Sequence, residues 1–559
     1  MAKQPKWTTA CPDWERRIVA VESLIPCAPL FPAEAEQALE VFKALRVVDV
    51  QGSPTMGEIC RPWILEFVAS VFGAYDPDLG RRLISEFFLD VSKKNFKSGL
   101  AAGIMLTALI RNWRQTGEFF ILSPTIEIAQ NSFYPARDMV RADEELSDLF
   151  HVQDHLRTIT HRNTGALLKV IAADAETVGG KKGIGVLIDE LWLFGKRSNA
   201  DNMLREATGG QASRPEGFTV YLTTKSDEPP AGVYKSKLAY ARGVRDGRID
   251  DKRFLPVIYE HPEAMVKSGE HRDPKNFYIT NPNLGASVDA EFLERGFRKA
   301  QEEGEQQLVG FLAKHANVEV GLGLRSNRWA GADFWERSGE VGLTLDAVLA
   351  RSDVVVFGID GGGLDDMLGA AAIGREIDTG RWLHWAHAWV HPVALERNKG
   401  SVSKFEDFAK AGDLTIVQNI GEDMEELADY VERCEQAGLL DRIGLDPAAV
   451  GDIVDVLQER KFKPERMVGI SQGWKMTSSI KTTERKLAEG AMAHGATGLM
   501  AWCVSNAKVE PRGNAIIITK QTAGQAKIDP LMATFNAAAL MALNPQPRRK
   551  KLQMFMVGS

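Results

Sequence analysis

Val186-Leu187-Ile188-Asp189-Glu190 is the stretch on which the fold turns. Three apolar residues in a row suit a strand buried on both faces, and two acids mark where it reaches solvent. Open α/β sheets bind ligands outside the carboxyl ends of their strands. Paired acids there are candidates for organising a metal ion and activating water. A solvated loop also starts with acids, so the pair alone leaves both readings open.

Working outward, short apolar runs alternate with helical stretches from Pro62 to about Thr224. The runs are Phe87 to Leu89, Glu118 to Leu122, Val186 to Ile188 and Thr219 to Leu222. Helical patterning fills Gly99 to Trp113 and Ile128 to Val140. This alternation predicts a parallel sheet with crossover helices. After the first run, Ser92-Lys93-Lys94-Asn95-Phe96-Lys97-Ser98 leads into a helix. Loops of this kind present backbone amides and a helix N-terminus to phosphates, while a Lys and a hydroxyl reach the terminal phosphate and magnesium. Lys97-Ser98 fits that ending, but Val91 and Phe96 stand where the usual motif has glycine. A basic loop that merely caps a helix has the same appearance. Val220 to Thr224 ends a further strand in hydroxyls, a place from which hydrolysis can be sensed.

From Lys235 to Asn317 the chain is charged and mostly helical, in the manner of a connector. Beyond it, Val354 to Ile359, the turn Gly361-Gly362-Gly363 and Gly369 to Ile373 predict a hairpin. Asp360 ends its first strand, Asp446 follows Ile443-Gly444-Leu445, and Asp529 opens a helix from Leu531 to Leu543. Singly, each aspartate is an ordinary cap or turn residue. Together they form a carboxylate set of the kind two-metal phosphodiester cleavage needs, laid out as in ribonuclease H-like nucleases. Asp365 and Asp366 are additional candidate ligands. The histidines of Trp382 to His391 are assigned to a core strand with one wet face rather than to a metal site.

A chain of 559 residues is expected to form two domains or more. Its 44% hydrophobic and 26% charged residues exclude wholesale disorder. A net charge of −7 neither supports nor excludes nucleic acid, since binding depends on where Lys and Arg cluster. The five cysteines have no metal-binding or disulfide spacing, and no apolar run is long enough for a membrane span, so the cytosol is expected.

The ordered combination resembles the large terminase subunit of tailed bacteriophages from about Pro62 to Leu543. The residues that carry the likeness are the loop Ser92 to Ser98, Ala172 to Gly180 running into Asp189-Glu190-Leu191, Gly358-Ile359-Asp360, Gly444-Leu445-Asp446-Pro447 and Lys527-Ile528-Asp529. The resemblance implies an α/β protein: an N-terminal P-loop NTPase-like parallel sheet with crossover helices, and a C-terminal ribonuclease H-like mixed α/β nuclease domain. The expected bounds are a helical arm at 1–60, an ATPase core at 61–235, its helical linker part at 236–345, the nuclease at 346–544 and a basic flexible tail, with Arg548, Arg549, Lys550 and Lys551, at 545–559.

Carried over by position, Lys97 and Ser98 bind phosphate and magnesium, and Lys93 or Lys94 contacts the γ-phosphate. Asp189 organises Mg2+, Glu190 activates water, and Thr224 couples ATP hydrolysis to movement. Asp360, Asp446 and Asp529 hold two Mg2+ or Mn2+ for cleavage. The implied activity is pumping of double-stranded DNA into a procapsid and cutting of concatemers, in the bacterial host cytoplasm. The implied partners are a small terminase subunit and the portal, on which the chain forms a pentamer. Two alternatives stay open: a helicase-like ATPase with a non-cleaving C-terminal binding module, and a catalytically silent packaging scaffold.

Overall fold

The computed structural model describes residues 6–172, 183–197, 199–320, 329–397, 401–447, 451–513, 515–520 and 527–548. The chain divides into two compact units, residues 1–320 and 321–559.

The first unit is built on an eight-stranded sheet. Its order is Phe254–Ile258, Glu86–Asp90, Phe218–Thr223, Gly183–Ile188, Glu118–Ser123, Leu167–Ala172, Thr158–His161 and Phe150–Gln153. The first six run parallel and the last two pair antiparallel. Alternate side chains feed two cores. Phe87, Leu89, Leu187 and Val220 pack with Leu100 and Ile104 of the helix Lys97–Ile110, whereas Phe88, Val186, Ile188 and Tyr221 pack with Trp192, Met203 and Val233. Burial on both faces is why these strands read as continuous apolar runs. The region from Lys235 to Asn317 is more than a connector. Phe254–Ile258 within it is an edge strand bonded along the loop-bearing strand Glu86–Asp90. In the N-terminal arm the helix Pro32–Ala44 starts on a proline.

The second unit has a seven-stranded mixed sheet in the order Leu414–Ile416, Trp382–Val390, Met367–Glu376, Ser352–Gly361, Leu440–Leu445 and Met467–Gly469, with Met492–His494 also beside Trp382–Val390. The predicted hairpin is present, with Asp360 opposite Gly369. The helix Asp529–Met541 lies directly on the sheet because three strands present glycine to it. A Cβ on Gly358 would stand 2.1 Å from Ala533 O, one on Gly369 2.5 Å from the Asp529 carbonyl carbon, and one on Gly444 3.0 Å from Asn536 O. The expected wet face of Trp382–Val390 is absent: both faces are covered, and only Trp385 is partly exposed. His384 instead bonds Thr534 Oγ1 and His387 bonds Thr415 Oγ1.

Arg548 is held rather than free, its N–H donating to Asp353 O and its guanidinium 3.4 Å from Asp441. Arg549, Lys550 and Lys551 lie outside the described residues, as does Ala173 to Gly180.

Candidate active sites

In the first unit, the loop after Asp90 and the acids after Ile188 leave the same edge of the sheet, with Phe218–Thr223 between their strands. A cleft of about 910 Å³ opens there, lined by Lys93, Lys94, Lys97, Ser98 and Glu190 among others. Lys94 and Phe96 have φ of 70° and 62°, and left-handed residues alternating with right-handed ones turn successive N–H groups toward one point, an anion cradle. Phe96 therefore adopts the backbone that glycine would, at a cost of roughly 1–2 kcal/mol. Gly99 makes room for its ring: a Cβ there would stand 2.4 Å from Phe96 Cζ. Gly99→Ala is accordingly expected to be about 1–2 kcal/mol more destabilising with Phe96 present than in a Phe96→Gly background. Chemical denaturation of the four proteins of that cycle checks it.

The loop is pinned from beneath. Asn95 Nδ2 donates to Ser92 O and Asn281 Oδ1, Asn283 N donates to Asn95 Oδ1, and Lys93 N donates to Lys314 O. The Lys97 ammonium is buried and donates to Val91 O and Ser92 O, 3.2 Å each. Burial lowers its pKa against the opposing pull of Glu190, Asp189 and Asp90. Asp189 is buried and takes a 2.7 Å hydrogen bond from Ser132 Oγ. Burial, then repulsion from Glu190, raises its carboxyl to about 6, so cationic charge is what this pair lacks. Thr224 is fully buried, its hydroxyl is unpartnered, and it is not part of the cleft wall.

Next to Thr224 stands a residue that the sequence did not single out. The Lys225 ammonium, 1% exposed, lies 2.7 Å from Asp90 and 3.0 Å from Glu260. Burial alone would raise the Glu260 carboxyl, but Lys225, Arg242 and Arg245 overcome it and hold it well below the usual range. Asn317 closes the network through Asp90 Oδ1. Lys225→Met leaves the buried Asp90 without its cation while Glu260 keeps Arg242 and Arg245, and a loss of about 3–5 kcal/mol is expected in the unfolding free energy of this unit.

In the second unit, Ile359 pairs with Leu445, so Asp360 and Asp446 emerge side by side from neighbouring strands. The glycine seat sets Asp529 against Gly369, the partner of Asp360. The three predicted aspartates are thus neighbours. Burial, then Asp529 and Asp446, raises the Asp360 carboxyl well above its ordinary value. Burial and Asp366 raise Asp529 to about 6, with Lys520 opposing. Asp529 Oδ2 is buried without a partner.

Among the described residues no three such side chains are drawn together tightly enough to grip an ion by themselves. The donor set nevertheless fits a hard divalent cation: it offers carboxylate oxygens, mutual repulsion and one orphaned acceptor. Asp366 is not a spare ligand, because Lys520 and Lys527 both bind it and hold its carboxyl down against burial. Asp365 pairs with Arg397 at the surface. Lys520, at the end of the hairpin Ala507–Arg512 and Ala515–Lys520, is also 3.6 Å from Asp529 Oδ1. Lys527 belongs to the stretch Lys527-Ile528-Asp529 that carries the resemblance but had no role assigned to it, and Lys520 carried no sequence signal.

None of the described helices is long and apolar enough to cross a membrane. The family model for the terminase large subunit ATPase domain matches residues 62–243, and that for the terminase large subunit endonuclease domain matches residues 248–544. The chain is similar to the terminase large subunit of Enterobacteria phage HK97, 20% identical over 497 residues that cover 86% of this chain and 88% of that one. It is similar to Protein YmfN of Escherichia coli strain K12, 22% identical over 310 residues that cover 52% of this chain and 64% of that protein's length. Among solved structures it is similar to the crystal structure of the HK97 bacteriophage large terminase, with a TM-score of 0.48 and 18% identity over 90% of this chain and 99% of that one.

Proposed function

The chain belongs to the terminase large subunit family, and from that premise we propose how its residues divide the work of an ATPase and a DNA endonuclease. Both domains of the family are present, so the chain is a DNA-packaging enzyme, and the alternatives of a non-cleaving module or a silent scaffold are not favoured. The observation that carries the residue assignments is that each sheet opens its strand ends onto one electrostatically frustrated acid site, at Asp189-Glu190 and at Asp360-Asp446-Asp529.

ATP binds in the first cleft. Its phosphates lie against the amides of Lys94 to Ser98, and the Lys97 ammonium exchanges its two loop carbonyls for phosphate oxygens. Lys93 or Lys94 contacts the γ-phosphate. Magnesium held by Ser98 and Asp189 would neutralise the charge that develops on the leaving phosphate. Glu190 takes the proton of the attacking water. Thr224, buried beside Lys225, transmits the state of the site to the strand that carries it.

In the second unit, two Mg2+ or Mn2+ held by Asp360, Asp446 and Asp529 would activate water and stabilise the leaving oxygen of a phosphodiester. Lys520 and Lys527 hold Asp366 aside and add positive charge where a DNA phosphate enters. We assign ATP hydrolysis to 61–235 with 236–345 as its helical part, and cleavage to 346–544. The proposed partners are double-stranded DNA, a small terminase subunit and the portal of a procapsid, on which a pentamer acts in the bacterial host cytoplasm. The test is incubation of the purified chain with plasmid DNA and Mn2+, with Asp360→Asn as control. Cleavage by the wild type alone supports the assignment, and equal cleavage by both overturns it.

A further inference from the structure

Glu190 sits in left-handed backbone, with φ 50° and ψ 51°, as the residue that opens the short helix Leu191–Phe194. Its Oε2 accepts a hydrogen bond from the indole Nε1 of Trp192. The other oxygen, Oε1, has no hydrogen bond among the described residues, and Glu190 lines the cleft. A carboxylate on an exposed loop has several rotamers, and a base that samples them spends little time aimed at water. An indole is a donor only, so this contact has one polarity: Glu190 accepts, and one of its oxygens is held in place.

Trp192 is itself held in place through its backbone and its ring. Trp192 is 9% exposed, and its backbone N–H donates to Thr223 Oγ1 at 3.1 Å. The ammonium of Lys314 lies 3.1 Å from the centre of its ring. Lys314 also donates to Lys225 O at 3.0 Å, and its carbonyl accepts from Lys93 N in the phosphate loop at 2.8 Å. Trp192 thus meets Glu190 through its indole, the strand end at Thr223 through its backbone, and Lys314 of the helix Glu305–His315 that braces the loop.

We propose that Trp192 is the positioning residue for the base: its indole N–H fixes one oxygen of Glu190 and leaves the other to accept the proton of water, while Lys314 clamps the ring. The proposal rests on the reading of Glu190 as that base. It gives Trp192 the role of the third group that orients a catalytic base in hydrolytic sites generally, here supplied by an indole.

Trp192→Phe keeps the ring and removes the N–H. The expected result is a kcat for ATP lower by about 10-fold or more, with KM and the binding of a non-hydrolysable ATP analogue within about 2-fold. In a Glu190→Gln background, followed in single-turnover mode, the same substitution is expected to have no further effect, because it acts only through the carboxylate. An unchanged kcat, or a loss that persists undiminished in the Glu190→Gln background, overturns the proposal. Full turnover by Glu190→Gln alone instead overturns the reading of the base. If Trp192→Phe does not fold, Lys314→Met decides: a lowered kcat at constant KM supports the clamp, and an unchanged kcat overturns it.

Discussion

Glu190→Gln is expected to lower kcat for ATP hydrolysis by about 10³-fold, within the range that removal of a positioned general base produces. Glutamine has the same size and can still accept the indole hydrogen bond from Trp192, so the cleft keeps its shape. What is lost is the ability to take a proton. Two electrostatic consequences accompany the loss. The Asp189 carboxyl, held up to about 6 by burial and by Glu190, is relieved of its second cause. Lys97 loses the largest of the interactions that oppose its burial-driven drop. Nucleotide affinity is therefore expected to change by only a few-fold while turnover collapses. Phosphate release combined with equilibrium nucleotide binding separates the two, and a kcat within about 3-fold of wild type would remove Glu190 from the mechanism.

Asp360→Asn is expected to abolish DNA cleavage, a loss of about 10³-fold or more, while ATP turnover stays unchanged. Several kcal/mol of charge stabilisation depend on the metal-binding carboxylates, and each 1.36 kcal/mol is a factor of ten. The same substitution is expected to raise the melting temperature of the second unit. The sign follows from the shift: a carboxyl raised in the folded state makes folding less favourable as pH rises through its unfolded value toward its folded one, so its charge is a liability at pH 7. Asparagine carries no charge and ends the repulsion from Asp529 and Asp446. Loss of cleavage with a gain in stability identifies a group kept for chemistry rather than for the fold. Calorimetry alongside a plasmid assay checks both halves, and retained cleavage would exclude Asp360 as a ligand.

Both architectures were legible in the sequence because strands buried on two faces leave unmistakable apolar runs, and because acids stand at their ends. Val186 to Glu190 and Val354 to Asp360 are examples. The edge strand Phe254–Ile258 was not legible, because five residues inside a charged helical stretch carry too little periodicity. Trp382–Val390 misled in another way: its histidines and tryptophans resemble an alternation, yet polar rings that bond Thr534 and Thr415 can be buried as completely as alanine. The site residues that the sequence missed, Lys225, Trp192 and Lys520, owe their roles to partners remote in the chain or to a side-chain direction. Spacing encodes neither. Phe96 marks the opposite case, since its departure from glycine is plain in the sequence but its accommodation by Gly99 is visible only in three dimensions.

The helix seated on Gly358, Gly369 and Gly444 is the last helix of the described chain, and it carries Asp529. Asp360 and Asp446 leave the ribosome well before it. Until this helix emerges and docks, the acid cluster is one carboxylate short, however completely the sheet has formed. In order of synthesis the residues proposed for the nucleotide cleft therefore precede the third carboxylate proposed for the cutting centre.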